Sequence, residues 1–147
     1  MTVTAPSNKT NRIRSVTIEG FRSLKNIQNL ELPPLTVLIG ANGAGKSTLI
    51  RFFEMLSWML KAKNLQEFVL RHGGGDDQFC MGARKTPRIR AELCLETEKG
   101  HNDYRFELAH ISAGDSVMVM NEAYRYSAHD IPTKAKWTEL EPVGKES

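Results

Sequence analysis

Residues 35 to 47 read Leu35-Thr36-Val37-Leu38-Ile39-Gly40-Ala41-Asn42-Gly43-Ala44-Gly45-Lys46-Ser47, and their reading decides the fold. From Gly40 to Ser47 they match G-x-x-x-x-G-K-[ST], the phosphate-binding loop pattern. The apolar run before it predicts a strand over 36–39, apolar on both sides as a buried central strand is. The residues after it predict a helix beginning at Lys46. Strand, glycine loop and helix are the context this chemistry requires. Glycines let successive backbone N–H groups turn inward around phosphate oxygens at the positive end of the helix dipole. Lys46 adds a point charge for β- and γ-phosphates, and the Ser47 hydroxyl is suited to Mg²⁺.

Upstream of the loop, Arg12 to Glu19 reads as a strand with Ile13, Val16 and Ile18 on its apolar side. Gly20 to Asn26 is a bend, and Ile27 to Leu32 a second strand. Pro33-Pro34 ends it, because neither residue donates a ladder hydrogen bond. Downstream, Leu49, Phe52, Phe53, Leu56, Met59 and Leu60 recur at helical spacing, so one main helix is predicted from Lys46 to about Lys63. Leu65 to Arg71 adds a short helical turn, and Gly73-Gly74-Gly75-Asp76-Asp77 is a loop.

The period then changes to two. Ile89, Ala91, Leu93 and Leu95 alternate with Arg88, Arg90, Glu92 and Glu96, as in a half-exposed strand. Tyr104, Phe106 and Leu108 mark a second strand. Ser116 to Tyr126 marks a third, with Met118, Met120, Tyr124 and Tyr126 assigned to one side. Short turns between them predict an antiparallel meander. After Ala128 the sequence is mostly polar, and Trp137 is its only aromatic ring of the Phe, Tyr and Trp kind.

The 147 residues are 40% hydrophobic and 25% charged, the balance of a soluble globular domain. No apolar run approaches the roughly 20 residues that span a bilayer. Residues 1–11 are polar, without the apolar stretch of a signal peptide, and are expected to be a disordered leader. A cytoplasmic location is therefore expected, with no membrane partner. Cys80 and Cys94 form no metal-binding spacing with each other or with any histidine, so reduced thiols are expected. The net charge of +3 permits DNA as a partner without requiring it. Arg84, Lys85, Arg88 and Arg90 invite that reading, but Glu92, Glu96 and Glu98 follow at once, so a mixed-charge solvated face is expected.

The segment Ile18-Glu19-Gly20-Phe21-Arg22-Ser23-Leu24-Lys25-Asn26 precedes the glycine loop, and a meander follows its helix. Here the chain resembles the N-terminal lobe of ABC-type ATPases of the RecF and structural-maintenance-of-chromosomes group. The resemblance is strongest to the bacterial AAA-family ATPases grouped with the overcoming-lysogenisation-defect proteins. It covers most of residues 12–127, and 128–147 are expected to be a polar tail or the start of a further lobe. It implies an α/β fold: a P-loop NTPase N-terminal lobe with a mixed sheet, one main helix after the phosphate loop and an antiparallel β-meander. It further implies binding of ATP and Mg²⁺ by Gly40, Ala41, Asn42, Gly43, Ala44, Gly45, Lys46, Ser47 and Thr48. Ser47 would be the metal ligand, Thr48 would reach the α-phosphate and Asn42 would lie near the γ-phosphate. Arg22 and Ser23 would approach the phosphates from the other side.

The chain departs from that family where hydrolysis is concerned. The sequence has no apolar strand ending in Asp-Glu, no signature motif and no switch histidine. Asp76-Asp77 follow three glycines, and Gln78, the one candidate for the family's Q-loop residue, precedes the meander rather than following it. Glu54 and Glu67 lie on or beyond the helix that leads away from the loop. No catalytic residue is therefore assigned, and the chain reads as incomplete for hydrolysis. The implied partner is another ATPase head, as a homodimer or as the absent lobe. A non-hydrolysing module that docks onto a full-length ATPase is the alternative. Without its further strands, the fold is expected to expose apolar surface, with Phe52, Trp58 and Met59 as contributors.

Overall fold

The computed structural model describes residues 11–62, 64–131 and 135–141. The expected leader therefore lies almost wholly outside the described residues, as do 132–134 and 142–147 of the tail. Strands β1 (Arg12–Phe21) and β2 (Leu24–Glu31) form a hairpin. Helices α1 (Lys46–Ser57) and α2 (Leu65–Arg71) follow, joined by a π-turn over Trp58–Ala62. The chain then enters the meander β3 (Arg88–Glu96), β4 (Gly100–Ile111) and β5 (Ser116–Ala128), and ends in β6 (Thr138–Leu140). The six strands make one sheet in the order β2-β1-β3-β4-β5-β6.

Register puts the apolar residues of neighbouring strands side by side. Val16 pairs with Leu93 and Ile18 with Ala91, while Ile89 pairs with Leu108 and Ala91 with Phe106. One sheet face is therefore apolar across β1, β3 and β4. Onto it α1 lays Leu49, Phe52, Met55 and Leu56, all buried, and α2 adds Phe68 and Val69. Phe52 is the hub, meeting the Phe21 ring edge-on at 5.6 Å and stacking on Phe106 at 6.4 Å. Burying each such side chain contributes about 1.5–3 kcal/mol. Asn64 caps α2 by accepting a hydrogen bond from the Glu67 amide at 3.1 Å.

The opposite, outer face is a lattice of charges. Glu107 pairs with both Arg88 (3.0 Å) and Arg90 (2.8 Å), and Asp103 with Arg125 (2.6 Å). The mixed-charge reading of this face is what the structure shows. Trp137 lies against it, with the Arg105 and Arg125 guanidinium carbons each 4.3 Å from its ring centre. Glu139 adds an ion pair to Arg105 at 2.7 Å. These contacts seat β6 on the β5 edge, where the sequence announced no strand.

Several expectations are corrected. The sheet is antiparallel at every named pairing, not mixed. The strand expected over 36–39 does not form among the described residues, and Leu35, Val37 and Ile39 are 82%, 71% and 90% exposed. A strand apolar on both faces needs neighbours to cover it, and a parallel neighbour needs a crossover connection. Here α1 and α2 lead straight into the meander. Phe52 and Met59 are buried and Trp58 half-buried, so they are not the exposed apolar surface; Leu35, Val37, Ile39 and Ile50 are. Met118 and Tyr124 do not share a face, because a register shift opposite Glu107 and Leu108 reverses the phase of β5. Among the described residues no helix is long and apolar enough to cross a membrane.

Candidate phosphate-binding site

The glycine loop runs from Gly40 into the first turn of α1. The Ala44 amide donates to the Ala41 carbonyl at 3.1 Å, which folds the loop back on itself. Gly43 and Gly45 hold φ of 86° and 88°, the left-handed region that side chains resist. At Gly45 there is a second reason for glycine: a Cβ there would lie 2.9 Å from Leu24 Cδ2. The buried Leu24 of the β1–β2 hairpin is thus a wall of the loop.

Helix α1 starts at Gly45 without a side-chain cap and without an acidic residue in its first turn. The Leu49 amide bonds the Gly45 carbonyl at 2.8 Å, and the amides ahead of it have no intrahelical acceptor. The Lys46 ammonium donates to the carbonyls of Gly40 (2.5 Å) and Ala41 (2.6 Å), so it lies over the loop. Ser47 is exposed and Thr48 half-buried. Uncapped amides, an ammonium over the loop and two glycines of positive φ fit a phosphate group. The exposed hydroxyl of Ser47 fits its accompanying divalent cation.

The upstream turn meets this loop through one of its two expected residues. Ser23 Oγ and Thr48 Oγ1 are 2.8 Å apart and share a hydrogen. Arg22 hydrogen-bonds elsewhere: Nε donates to Gln78 Oε1 at 3.1 Å and Nη2 to the His72 carbonyl at 2.5 Å. Burial, and then the neighbouring Arg51, lower the Arg22 pKa, with Asp77 opposing. Gln78 is a residue the sequence did not assign to the site. It is buried beneath the hairpin, yet a single glutamine after Gly-Gly-Gly-Asp-Asp carries no pattern that would reveal it.

The first two acids after the loop are engaged. Glu54 pairs with Arg51 at 2.9 Å and His72 at 3.2 Å, and Glu67 with Arg71 at 2.7 Å. A concavity of 740 Å³ lies on the outer sheet face, away from α1. Its Arg90 and Arg105 are paired with Glu107 and Glu139, while Glu19, Glu92, Glu122 and Glu141 also line it, so the wall is acidic and does not suit a phosphate. The residues with phosphate-binding chemistry lie instead at the open rim beside Gly45.

Loop, helix start and neighbouring hairpin are the parts that a phosphate-loop ATPase would use. The sequence model of the family described as "AAA ATPase domain" matches residues 12–123, and the chain belongs to that family. It is also similar to two proteins called DNA replication and repair protein RecF. The one from Geobacter sp. (strain M21) is 31% identical over 80 residues, 52% of this chain and 22% of that protein. The one from Thermomicrobium roseum is 33% identical over 89 residues, 59% of this chain and again 22% of the relative. The chain thus stands on the RecF/SMC-like side of the family, and matches about a fifth of the length of these relatives.

Proposed function

We propose that this chain is the ATP-binding lobe of a RecF/SMC-like ATPase, acting in DNA repair, genome maintenance or phage defence, and that unaided it binds ATP without hydrolysing it. The observation that carries this reading is the Gly40–Ser47 loop opening directly into an uncapped helix, with Lys46 held over it. In this reading the backbone around Gly43, Ala44 and Gly45 surrounds the β-phosphate. Lys46 exchanges its two carbonyl partners for phosphate oxygens, a charge-assisted contact in place of neutral ones. Asn42 offers its amide near the γ-phosphate, Ser47 holds Mg²⁺, and Thr48, braced by Ser23, borders the α-phosphate. The Mg²⁺ neutralises phosphate charge when bound.

Binding of this kind acts on ATP in its ground state. Acceleration requires groups that interact more strongly with the transition state. The sequence offers no acidic-ended strand or signature motif to supply them, and Glu54 and Glu67 are committed to ion pairs. The missing groups are assigned to a partner, either a second ATPase head or a further lobe. The test is to incubate the full chain with Mg–ATP, with and without DNA, and measure both binding and phosphate release. Saturable binding without release is expected. Release that disappears in Lys46→Ala would overturn the reading by exposing catalytic groups within this chain.

A further inference from the structure

We propose that Gln78 is a positioning residue for the phosphate loop, acting on it through Arg22 and Ser23. The inference rests on the nucleotide-binding reading above. Gln78 is 1% exposed, and every polar atom it has is used. Its Nε2 donates to the carbonyls of His72 (3.1 Å) and Gly74 (2.7 Å), and its own amide donates to the Gly75 carbonyl at 3.1 Å. Its two acceptors both serve Arg22: Oε1 takes the guanidinium Nε–H, and the backbone carbonyl takes the Arg22 amide at 2.9 Å.

Arg22 has φ of 48°, a left-handed backbone that a non-glycine residue holds only when its surroundings enforce it. Three hydrogen bonds from Arg22 to Gln78 and His72 do so. The bridge between Phe21 and Phe79, and the Cys80 amide on the Gly20 carbonyl at 2.9 Å, clamp the same turn from the strand side. The next two residues then reach the loop: Ser23 meets Thr48, and Leu24 fills the space beside Gly45. A residue 56 positions from Arg22 in sequence, on the connection after α2, therefore sets where the hairpin stands against the loop.

Such a link is reciprocal. If Gln78 favours the binding-competent loop, nucleotide must in turn stabilise the Gln78 turn. A merely structural glutamine would lower the melting temperature of the protein without coupling to Ser23. Mg–ATP affinity should be measured calorimetrically on the full chain for wild type, Lys46→Ala, Gln78→Met, Ser23→Ala and the Gln78→Met/Ser23→Ala pair. Gln78→Met is expected to weaken binding about 2- to 30-fold, the range for residues that act through others. The double variant should be no weaker than the weaker-binding single one, because both changes break one chain of contacts.

An unchanged affinity in Gln78→Met alongside a weakened Lys46→Ala would overturn this inference alone. So would strictly additive losses in the double variant. An unchanged Lys46→Ala would overturn the nucleotide reading and this inference with it. Should Gln78→Met fail to fold, hydrogen exchange of the wild type decides: Mg–ATP should slow exchange at the Gln78 and Cys80 amides. Slowing confined to the loop and α1 would overturn the link.

Discussion

At the scale of single residues, Gly43 and Gly45 offer a controlled comparison. Both have nearly the same positive φ, but a Cβ at Gly43 meets nothing within 4 Å, whereas one at Gly45 strikes Leu24. Alanine at either costs about 1–2 kcal/mol of backbone strain. Gly45→Ala should therefore melt several degrees below Gly43→Ala, and equal melting temperatures would remove Leu24 from the loop wall. Cys94 gives a prediction in pH. Burial, and then its hydrogen bond to Asp103, push its pKa from 9.0 up to about 11. Between those values the folded chain keeps a proton that the unfolded chain has lost, so this group's contribution to stability falls as pH rises through that window. Alkylation of Cys94, followed by peptide mass spectrometry, should reach half-rate near pH 11 in the native protein and near 9 in urea. Native labelling with a midpoint near 9 would contradict the burial of Cys94 beside Asp103.

At the scale of elements, what the sequence revealed was what local periodicity can encode. The spacing of Leu49, Phe52 and Leu56 names the buried stripe of α1, although it also named Leu60, which is exposed, and the alternation Ile89-Ala91-Leu93 names the inner face of β3. Pairing is not local. Leu35 to Ile39 is as apolar as a central strand should be, yet nothing in those residues states whether neighbours are at hand, and here they stand exposed. The phase of β5 was misread for a similar reason, since its shift depends on the pairing with β4. Because Leu35 and Ile39 face solvent, serine at both should reduce binding of a hydrophobic dye while changing stability by no more than about 0.5 kcal/mol each. A large fall in melting temperature would mean that the segment is buried after all.

At the scale of the whole molecule, the candidate site was legible where its chemistry is contiguous and illegible where it is assembled. Eight adjacent residues spell the phosphate loop, and the position of Ser23 upstream could be inferred from resemblance alone. The Arg22–Gln78 contact joins segments 56 residues apart, and no spacing rule connects them. The fold nevertheless brings hairpin, loop and connection to one rim, away from the charged outer face of the sheet. The measurement that bears most directly on this arrangement is calorimetric titration of Mg–ATP into wild type and Lys46→Ala. Removing a charge-assisted contact worth about 1.5–3 kcal/mol should weaken affinity by about 10- to 150-fold. Equal affinity in the two proteins would contradict the assignment of Gly40–Ser47 as a nucleotide-binding loop.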